Sequence, residues 1–366
     1  MADSPFWNMP GPTGFIRGVL ASIREGRSVV LLLPARALSG LDEALATAIR
    51  EVRPVEICDA TAGHFPAQAL FERFWPDAPA ATVRNARNLM TCEEVQGRLL
   101  WLVGLTEERW PPWRDFLVEY EQACRSVPQF YRTLFVVPLI GPLALTPPSA
   151  EVCMACHEWR DCVSEMDMLL FCALSLQESP LPTLVRKLTA AVVAELALWD
   201  PAAAEALLLA GPWSCLSPLE VLIGNAREKG WTPQTPVSWE EGTAEPTDHG
   251  NRVHSALLAV RGEEAEISRR VWAGLVQVLL PLIEERRLTL LPKVQHRLRL
   301  PVRLESGDLI SDARDLEIGP LCYFLSKAGL SRRDLEPLNR MKRLRNALAH
   351  GEVPPFADIR AFLDGG

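Results

Sequence analysis

A chain of 366 residues is too long for one ordinary hydrophobic core, so two or three domains are expected. Hydrophobic residues make up 48% of the chain and charged residues 23%, a globular composition that excludes disorder throughout. The formal net charge of −8 argues against a protein that binds nucleic acid over its whole surface.

Cysteine usage and hydropathy predict the cellular setting. The chain has nine Cys, an odd number at irregular spacing, which is typical of reduced thiols. Its first residues show no basic stretch followed by an apolar run, and runs such as 29–34 and 134–140 are too short to cross a bilayer. We therefore expect a soluble, cytoplasmic protein with no membrane partner.

Charge is unevenly distributed along the chain. Residues 253–366 contain 18 Lys and Arg against 15 Asp and Glu, whereas the rest of the chain contains 20 against 31. An acidic body is thus followed by a slightly basic final third. This asymmetry indicates different tasks for the two parts.

The first 149 residues alternate between strand and helix signals. Helices are predicted at 13–24, 41–50 and 113–125. Strands are predicted at 28–33, 55–58, 98–103 and 132–138, the first a continuous apolar run of the kind buried on both faces of a parallel sheet. This alternation predicts an α/β domain over 1–149 with a parallel sheet.

Strand signals stop after about residue 148. Helices predicted at 152–174, 181–198, 202–209 and 218–229 form a helical extension over 150–231. Residues 232–252, rich in Thr, Pro, Glu and Gly, are predicted to be a linker. An all-α domain is predicted over 253–366, with helices at 253–291, 315–328 and 334–350 and a short final helix.

In its order of elements, the segment 12–230 resembles a P-loop ATPase core of the AAA or STAND kind. A phosphate-binding loop would fall at residues 34–41, Pro-Ala-Arg-Ala-Leu-Ser-Gly-Leu. Such a loop needs Gly residues followed by Lys and Ser or Thr, and here only Gly40 is in place. The third strand also lacks a metal-holding acid at its end. The resemblance therefore implies a degenerate domain without ATPase activity and without a bound cofactor.

Arg36 is the one group in that loop that can hold a phosphate. One interpretation is thus that the domain is a nucleotide sensor, which binds through Arg36 and Gly40 without hydrolysis. The other interpretation is that Arg36 is a solvated surface arginine and that the domain positions partners.

A cysteine and histidine cluster offers a second candidate site. Cys153, Cys156, His157 and Cys162 could supply four zinc ligands, but no second Cys-x-x-Cys follows. The same spacing fits thiols buried on one face of a helix. We favour the buried thiols and expect no metal, with zinc left as the alternative. Covalent haem attachment at Cys-x-x-Cys-His is rejected, because no export signal is seen.

The strongest pattern is residues 338–351, Leu-Asn-Arg-Met-Lys-Arg-Leu-Arg-Asn-Ala-Leu-Ala-His-Gly. Its apolar residues recur at three- and four-residue spacing and predict one buried helical stripe. Gly351, with two prolines soon after, is placed to end the helix. His350 then lies in the last turn, where the helix dipole favours a protonated imidazole. Beside it, the Arg345 guanidinium can hold a phosphate.

Arg345, Asn346 and His350 resemble the Arg-x4–6-His motif of the HEPN superfamily, over roughly the last third of the chain. The resemblance implies metal-independent RNA cleavage by a homodimer formed through the motif helices. His350 would be the general acid and base, Arg345 would stabilise developing negative charge, and Asn346 would orient His350 or the phosphate. Five further cations would guide the RNA backbone: Arg332, Arg333, Arg340, Lys342 and Arg343.

We therefore predict an endoribonuclease or toxin-like effector of a bacterial defence system, inhibited or positioned by an inactive ATPase-like domain. The defence setting is implied only by the systems in which HEPN domains usually occur. Other proteins of such a system would be partners. The alternative is a non-catalytic scaffold, because many HEPN domains serve only in oligomerisation and a fold alone does not establish a site.

Overall fold

The computed structural model describes residues 4–36, 40–61, 65–248 and 250–364. The chain forms two compact units. The first unit comprises Met1–Asp167 with Pro233–Leu257, and the second comprises Met168–Thr232 with Leu258–Gly366. Residues 168–231 of the predicted helical extension therefore fall in the unit that contains the final third of the chain, whereas residues 150–167 belong to the first unit. Nearly all of the predicted linker belongs to the first unit.

The first unit contains a five-stranded parallel sheet in the order β2-β3-β4-β1-β5. Its strands are β1 Ser28–Leu33, β2 Val55–Asp59, β3 Leu99–Val103, β4 Leu134–Ile140 and β5 Met154–Glu158. The predicted parallel α/β class is confirmed, as are the first four strands. β1 and β4 lie at the centre with most of their side chains buried, as their continuous apolar sequences require.

β5 corrects the prediction of a helix over 152–174. Residues Met154–Glu158 pair in parallel with β1, and helix α6 spans only Glu165–Ser175. The spacing of Cys153, Cys156 and His157 is compatible with a helix. Pairing on the second edge of β1, however, satisfies backbone groups that would otherwise be buried without partners. Tertiary context here overrides a local pattern.

Helices pack around this sheet. Those of the first unit are α1 Pro10–Arg24, α2 Leu41–Arg50, α3 Pro66–Phe74, α4 Ala86–Leu89 and α5 Trp110–Cys124. α1 packs against β1 and β5, where the rings of Phe15 and Trp159 meet edge to face with centroids 4.9 Å apart. On α5, Tyr120 packs edge to face on Phe135 of β4 at 4.9 Å. Aromatic side chains thus fasten helices to the sheet at both positions.

Residues 232–252, predicted as a linker, contain the antiparallel hairpin of β6 Ala244–Thr247 and β7 Gly250–Val253. The loop before β6 lies against the carboxyl end of β1. There the Ala35 backbone N–H donates to the Glu240 carbonyl, and a Cβ at Gly242 would come within 2.8 Å of the Ala35 carbonyl oxygen. This segment is packed protein within the first unit.

The second unit is mainly helical. Its helices are α7 Thr183–Ala197, α8 Pro201–Leu209, α9 Leu219–Glu228, most of α10 Ser255–Arg261, α11 Glu264–Val294, α12 Ile318–Lys327, α13 Arg332–Ala349 and α14 Phe356–Asp364. A two-stranded hairpin, β8 Val302–Arg303 and β9 Leu309–Ile310, precedes α12. α11 packs closely on α7, because Gly274 allows the backbone at Val192 to approach. Within the described ranges, no helix has both the length and the apolar character needed to cross a membrane.

Candidate functional site

Helix α13 carries the motif, and its sequence explains why it forms here. The Ser331 hydroxyl accepts a hydrogen bond from the Asp334 backbone N–H, which satisfies one of the free amides of the first turn. The predicted apolar stripe is confirmed, because the following side chains are all buried: Leu338, Met341, Leu344 and Leu348. The polar residues of the motif therefore lie away from the core.

The end of α13 fixes the position of His350. Gly351 adopts φ 78°, and the backbone N–H of Glu352 donates to the Ala347 carbonyl at 2.9 Å. The Gly351 N–H donates to the Leu348 carbonyl at 3.3 Å, which completes a Schellman motif. His350 is the residue that caps this helix end, and its side chain is exposed. The predicted termination at Gly351 is confirmed.

Arg345 is held by an acidic residue from another helix. Its Nη2 atom lies 2.7 Å from Oε2 of Glu317, the residue that precedes α12. The Arg345 side chain is 39% exposed and that of Glu317 is 68% exposed, so solvent reaches the pair from outside. Asn346 beside it is half-buried. The three motif residues thus occupy the last turns of one helix, with an arginine that a phosphate can reach.

Two of the cations predicted to guide RNA are held by carboxylates. Arg343 bonds both oxygens of Asp358, at 3.0 and 3.3 Å, and also reaches Glu336. The hydrogen bond from Arg343 lowers the pKa of the Asp358 carboxyl. Arg340 donates to the Ala361 carbonyl at 3.0 Å and lies 3.9 Å from Glu336. These two arginines tie α13 to α14 as well as presenting charge.

The other predicted cations have no carboxylate partner in the part of the chain that the structure describes. Arg332 and Arg333 are exposed on the first turn of α13 and line a shallow groove with Arg340. Lys342 is half-buried and faces the opposite direction, toward α12. Positive charge that is free for a ligand therefore lies at both sides of the helix.

Residues 34–41, the predicted phosphate-binding loop, provide fewer groups that could bind a ligand than α13 does. Arg36 is exposed with φ 58°, and Gly40 caps the start of α2 with φ 91°. The predicted loop also includes residues 37–39, which lie outside the described residues. Since the Ala35 N–H already donates to Glu240, one backbone donor at the carboxyl end of β1 is occupied within the chain. A ligand phosphate there would have to displace that contact.

The cysteine cluster is not on a helix as predicted: Cys156 and His157 lie on β5, Cys153 immediately precedes it, and Cys162 follows it. Cys153 is buried whereas Cys156 is exposed, so the two thiols do not share one environment. The His157 Nε2 atom lies 3.0 Å from the Ser22 hydroxyl, and burial lowers the pKa of this imidazole. Burial also raises the pKa of Cys162 to about 12, which disfavours the thiolate that zinc requires. Among the described residues, no group of three His, Cys, Asp or Glu is arranged to hold a metal ion.

No model of a known protein family matches this chain, and a search of curated proteins found no match. The site must therefore be judged on its geometry. The sequence does not reveal Glu317, the partner of Arg345, because the two residues are distant in the chain and meet only when α12 packs on α13. An acid just before a helix carries no signal that it will face another helix.

Proposed function

We propose that the second unit is a metal-independent endoribonuclease that resembles HEPN enzymes and works as a homodimer. One observation carries the proposal. The last turns of α13 carry Arg345, Asn346 and His350, and the apolar face of this helix is already buried. None of the three is needed to fill the core, and together they supply a base, a cation and an amide.

His350 takes the proton of the RNA 2′-hydroxyl and returns a proton to the leaving 5′-oxygen. Arg345 exchanges Glu317 for the phosphate and stabilises its developing charge through a bidentate contact. Asn346 orients the imidazole or the phosphate.

The first unit is proposed as an ATPase-like regulatory domain without turnover, in a protein of a bacterial defence system. β1 lies within the parallel sheet and is followed by a loop and a helix, the position at which open α/β sheets bind ligands. The contact of Ala35 with Glu240 supports the absence of turnover. ATP hydrolysis above background by the purified protein would contradict this part of the proposal.

Cleavage is tested directly with purified protein and mixed RNA in EDTA. We expect cleavage by the wild type and its loss in His350→Ala and in Arg345→Ala. The matched control is Arg360→Ala, which removes another exposed arginine that lies 3.6 Å from a carboxylate, Asp364. Cleavage that survives both motif substitutions would refute the assignment.

A scaffold function is the second candidate, and a specific observation favours it. Arg340, Arg343 and Arg345 are all in ion pairs within their own chain, which is how structural arginines behave. If the wild type forms a dimer but cleaves no RNA in EDTA, and the motif substitutions weaken that dimer, the helices serve assembly instead.

A further inference from the structure

A cavity of about 670 Å³ opens beside the motif helix in the second unit. Its walls come from the β8–β9 hairpin loop, one side of α12 and one residue of α13. Three cations line it: Arg303, Lys327 and Lys342. Two aromatic residues of α12, Tyr323 and Phe324, complete its apolar surface.

The cations of this cavity differ from the neighbouring arginines in one respect. Arg340, Arg343 and Arg345 are all paired with carboxylates. By contrast, no ion pair engages Arg303, Lys327 or Lys342 among the residues that the structure describes. Glu305 is the one acid in the lining and is exposed. The cavity lining therefore carries an excess of positive charge.

Tyr323 gives the cavity a flat surface that is open to solvent. Tyr323 is 49% exposed, a large fraction for an aromatic residue on a packed helix. The Lys327 ammonium lies 4.4 Å from the ring centroid, and the Phe324 ring stands at 72° to it with centroids 5.2 Å apart. Lys327 thus stands over one face of the ring, and a nucleobase can stack on the other face while the cations that line the cavity hold its phosphate.

The cavity adjoins the motif. Lys342 precedes Arg345 by one helical turn on α13, so the two side chains lie on the same side of the helix. On α12, Gly319 lines the cavity only two residues after Glu317, the partner of Arg345. A phosphate at Arg345 and a nucleotide in the cavity would thus be close along one RNA strand.

We propose that this cavity binds one nucleotide of single-stranded RNA next to the phosphate that is cut, with the base on Tyr323 and the phosphate on Lys342. This inference deepens the proposed ribonuclease function and rests on it for the identity of the ligand. It also selects the substrate class, because bases within a duplex are stacked on one another and are not available to Tyr323.

The test measures binding separately from cleavage. Full-length His350→Ala protein is titrated into a fluorescently labelled ten-nucleotide single-stranded RNA in EDTA, and anisotropy gives Kd. Tyr323→Ala should weaken binding about tenfold, and Tyr323→Phe should restore it, since one stacked base contributes this much.

Lys342→Ala should reduce the slope of log Kd against log salt by about 0.7, the value for one phosphate contact on a single strand. Lys293→Ala, an exposed lysine at the end of α11, is the charge-matched control.

Gly319→Phe gives a second way to block the cavity. Apart from the neighbouring backbone of α12, no atom lies within 4 Å of a Cβ placed at Gly319, which lines the cavity, so the helix should still form with a ring directed into the cavity. We expect this variant to melt like the wild type and to lose the same binding as Tyr323→Ala. Unchanged Kd in both variants would overturn the proposal, even if His350 and Arg345 prove necessary for cleavage.

Competition distinguishes the sources of a nucleotide. Unlabelled single-stranded RNA should displace the probe, whereas duplex RNA and AMP at the same nucleotide concentration should not. Equal displacement by AMP would assign the cavity to a free nucleotide and overturn its assignment to an RNA chain. Equal displacement by duplex RNA would show that Tyr323 does not read an unpaired base.

Discussion

The role of Arg345 can be tested without substituting Arg345 itself, because Glu317 is its ion-pair partner. An ion pair as exposed as this one contributes little to folding, so Glu317→Gln should change the free energy of unfolding by no more than about 1 kcal/mol. If Arg345 binds the scissile phosphate, releasing it should raise the initial rate of RNA cleavage. The rate and a urea titration are measured on the same preparation.

A scaffold predicts a different result for that substitution. Glu317→Gln would then leave RNA untouched and would weaken the protein or its dimer by as much as Arg345→Ala does. A fall in cleavage together with a fall in stability would show that the ion pair supports the structure rather than restrains the arginine.

Glu245 is the ionisable residue of the first unit with the clearest dependence on pH. It is buried on β6, and burial, aided by the charge of Asp161, raises the pKa of its carboxyl from 4.5 to about 7. Arg252 and Arg160 oppose this shift. The folded state therefore binds more protons than the unfolded chain between those two pH values, and stability falls as pH rises through that window.

Glu245→Gln should accordingly stabilise the protein at pH 8, by on the order of 1–3 kcal/mol, and should do so much less at pH 5. Urea unfolding at the two pH values measures the difference. Glu119→Gln, a change at an exposed position of α5, is the control. An equal effect of Glu245→Gln at pH 5 and pH 8 would mean that the carboxyl is not protonated in the folded state.

At the scale of elements, the sequence predicts those whose residues carry a strong pattern of their own. β1 and β4 are continuous apolar runs, and α13 has a regular stripe with a glycine at its end, so their positions follow from local chemistry. β5 is short and contains Cys, His and Glu, and it is a strand because β1 offers it an edge. The hairpin of β6 and β7 likewise depends on distant partners, such as Ala35 for its preceding loop. Such contacts leave no periodic signal.

The close approach of α7 and α11 gives a prediction at this scale. A Cβ at Gly274 would lie 2.5 Å from the Val192 Cα and 2.9 Å from the Ala191 carbonyl oxygen, both backbone atoms that cannot move alone. Gly274→Ala should therefore destabilise the second unit by roughly 1–3 kcal/mol, despite the higher helix propensity of alanine.

Gly224→Ala is the matched control. Gly224 lies on α9 of the same unit, with no atom within 4 Å of the added methyl group, so this change should raise stability by up to about 1 kcal/mol. The two melting curves are compared with that of the wild type. Stabilisation by both substitutions would show that α7 and α11 are farther apart than described.

At the scale of the whole molecule, each unit is built from two separate segments of the chain. The fragment 253–366, the domain predicted from the sequence, lacks α7, on which α11 packs, and so exposes the face of α11 that carries Gly274 and Gln277. We expect this fragment to be unfolded or aggregated by circular dichroism and size-exclusion chromatography. A chain of residues 168–366 in which a Gly-Ser linker replaces 233–257 should unfold cooperatively. A cooperative melt of 253–366 alone would contradict the division into units.

The interleaving of segments also bears on how the protein is made. α7 leaves the ribosome long before α11, and the hairpin that belongs with the early sheet is synthesised between them. Neither unit can complete its core until a later stretch of chain has emerged, so both depend on contacts between residues far apart in sequence. Such contacts slow folding and leave apolar surface exposed during synthesis. We expect the nascent chain to need chaperone protection until α11 has been translated.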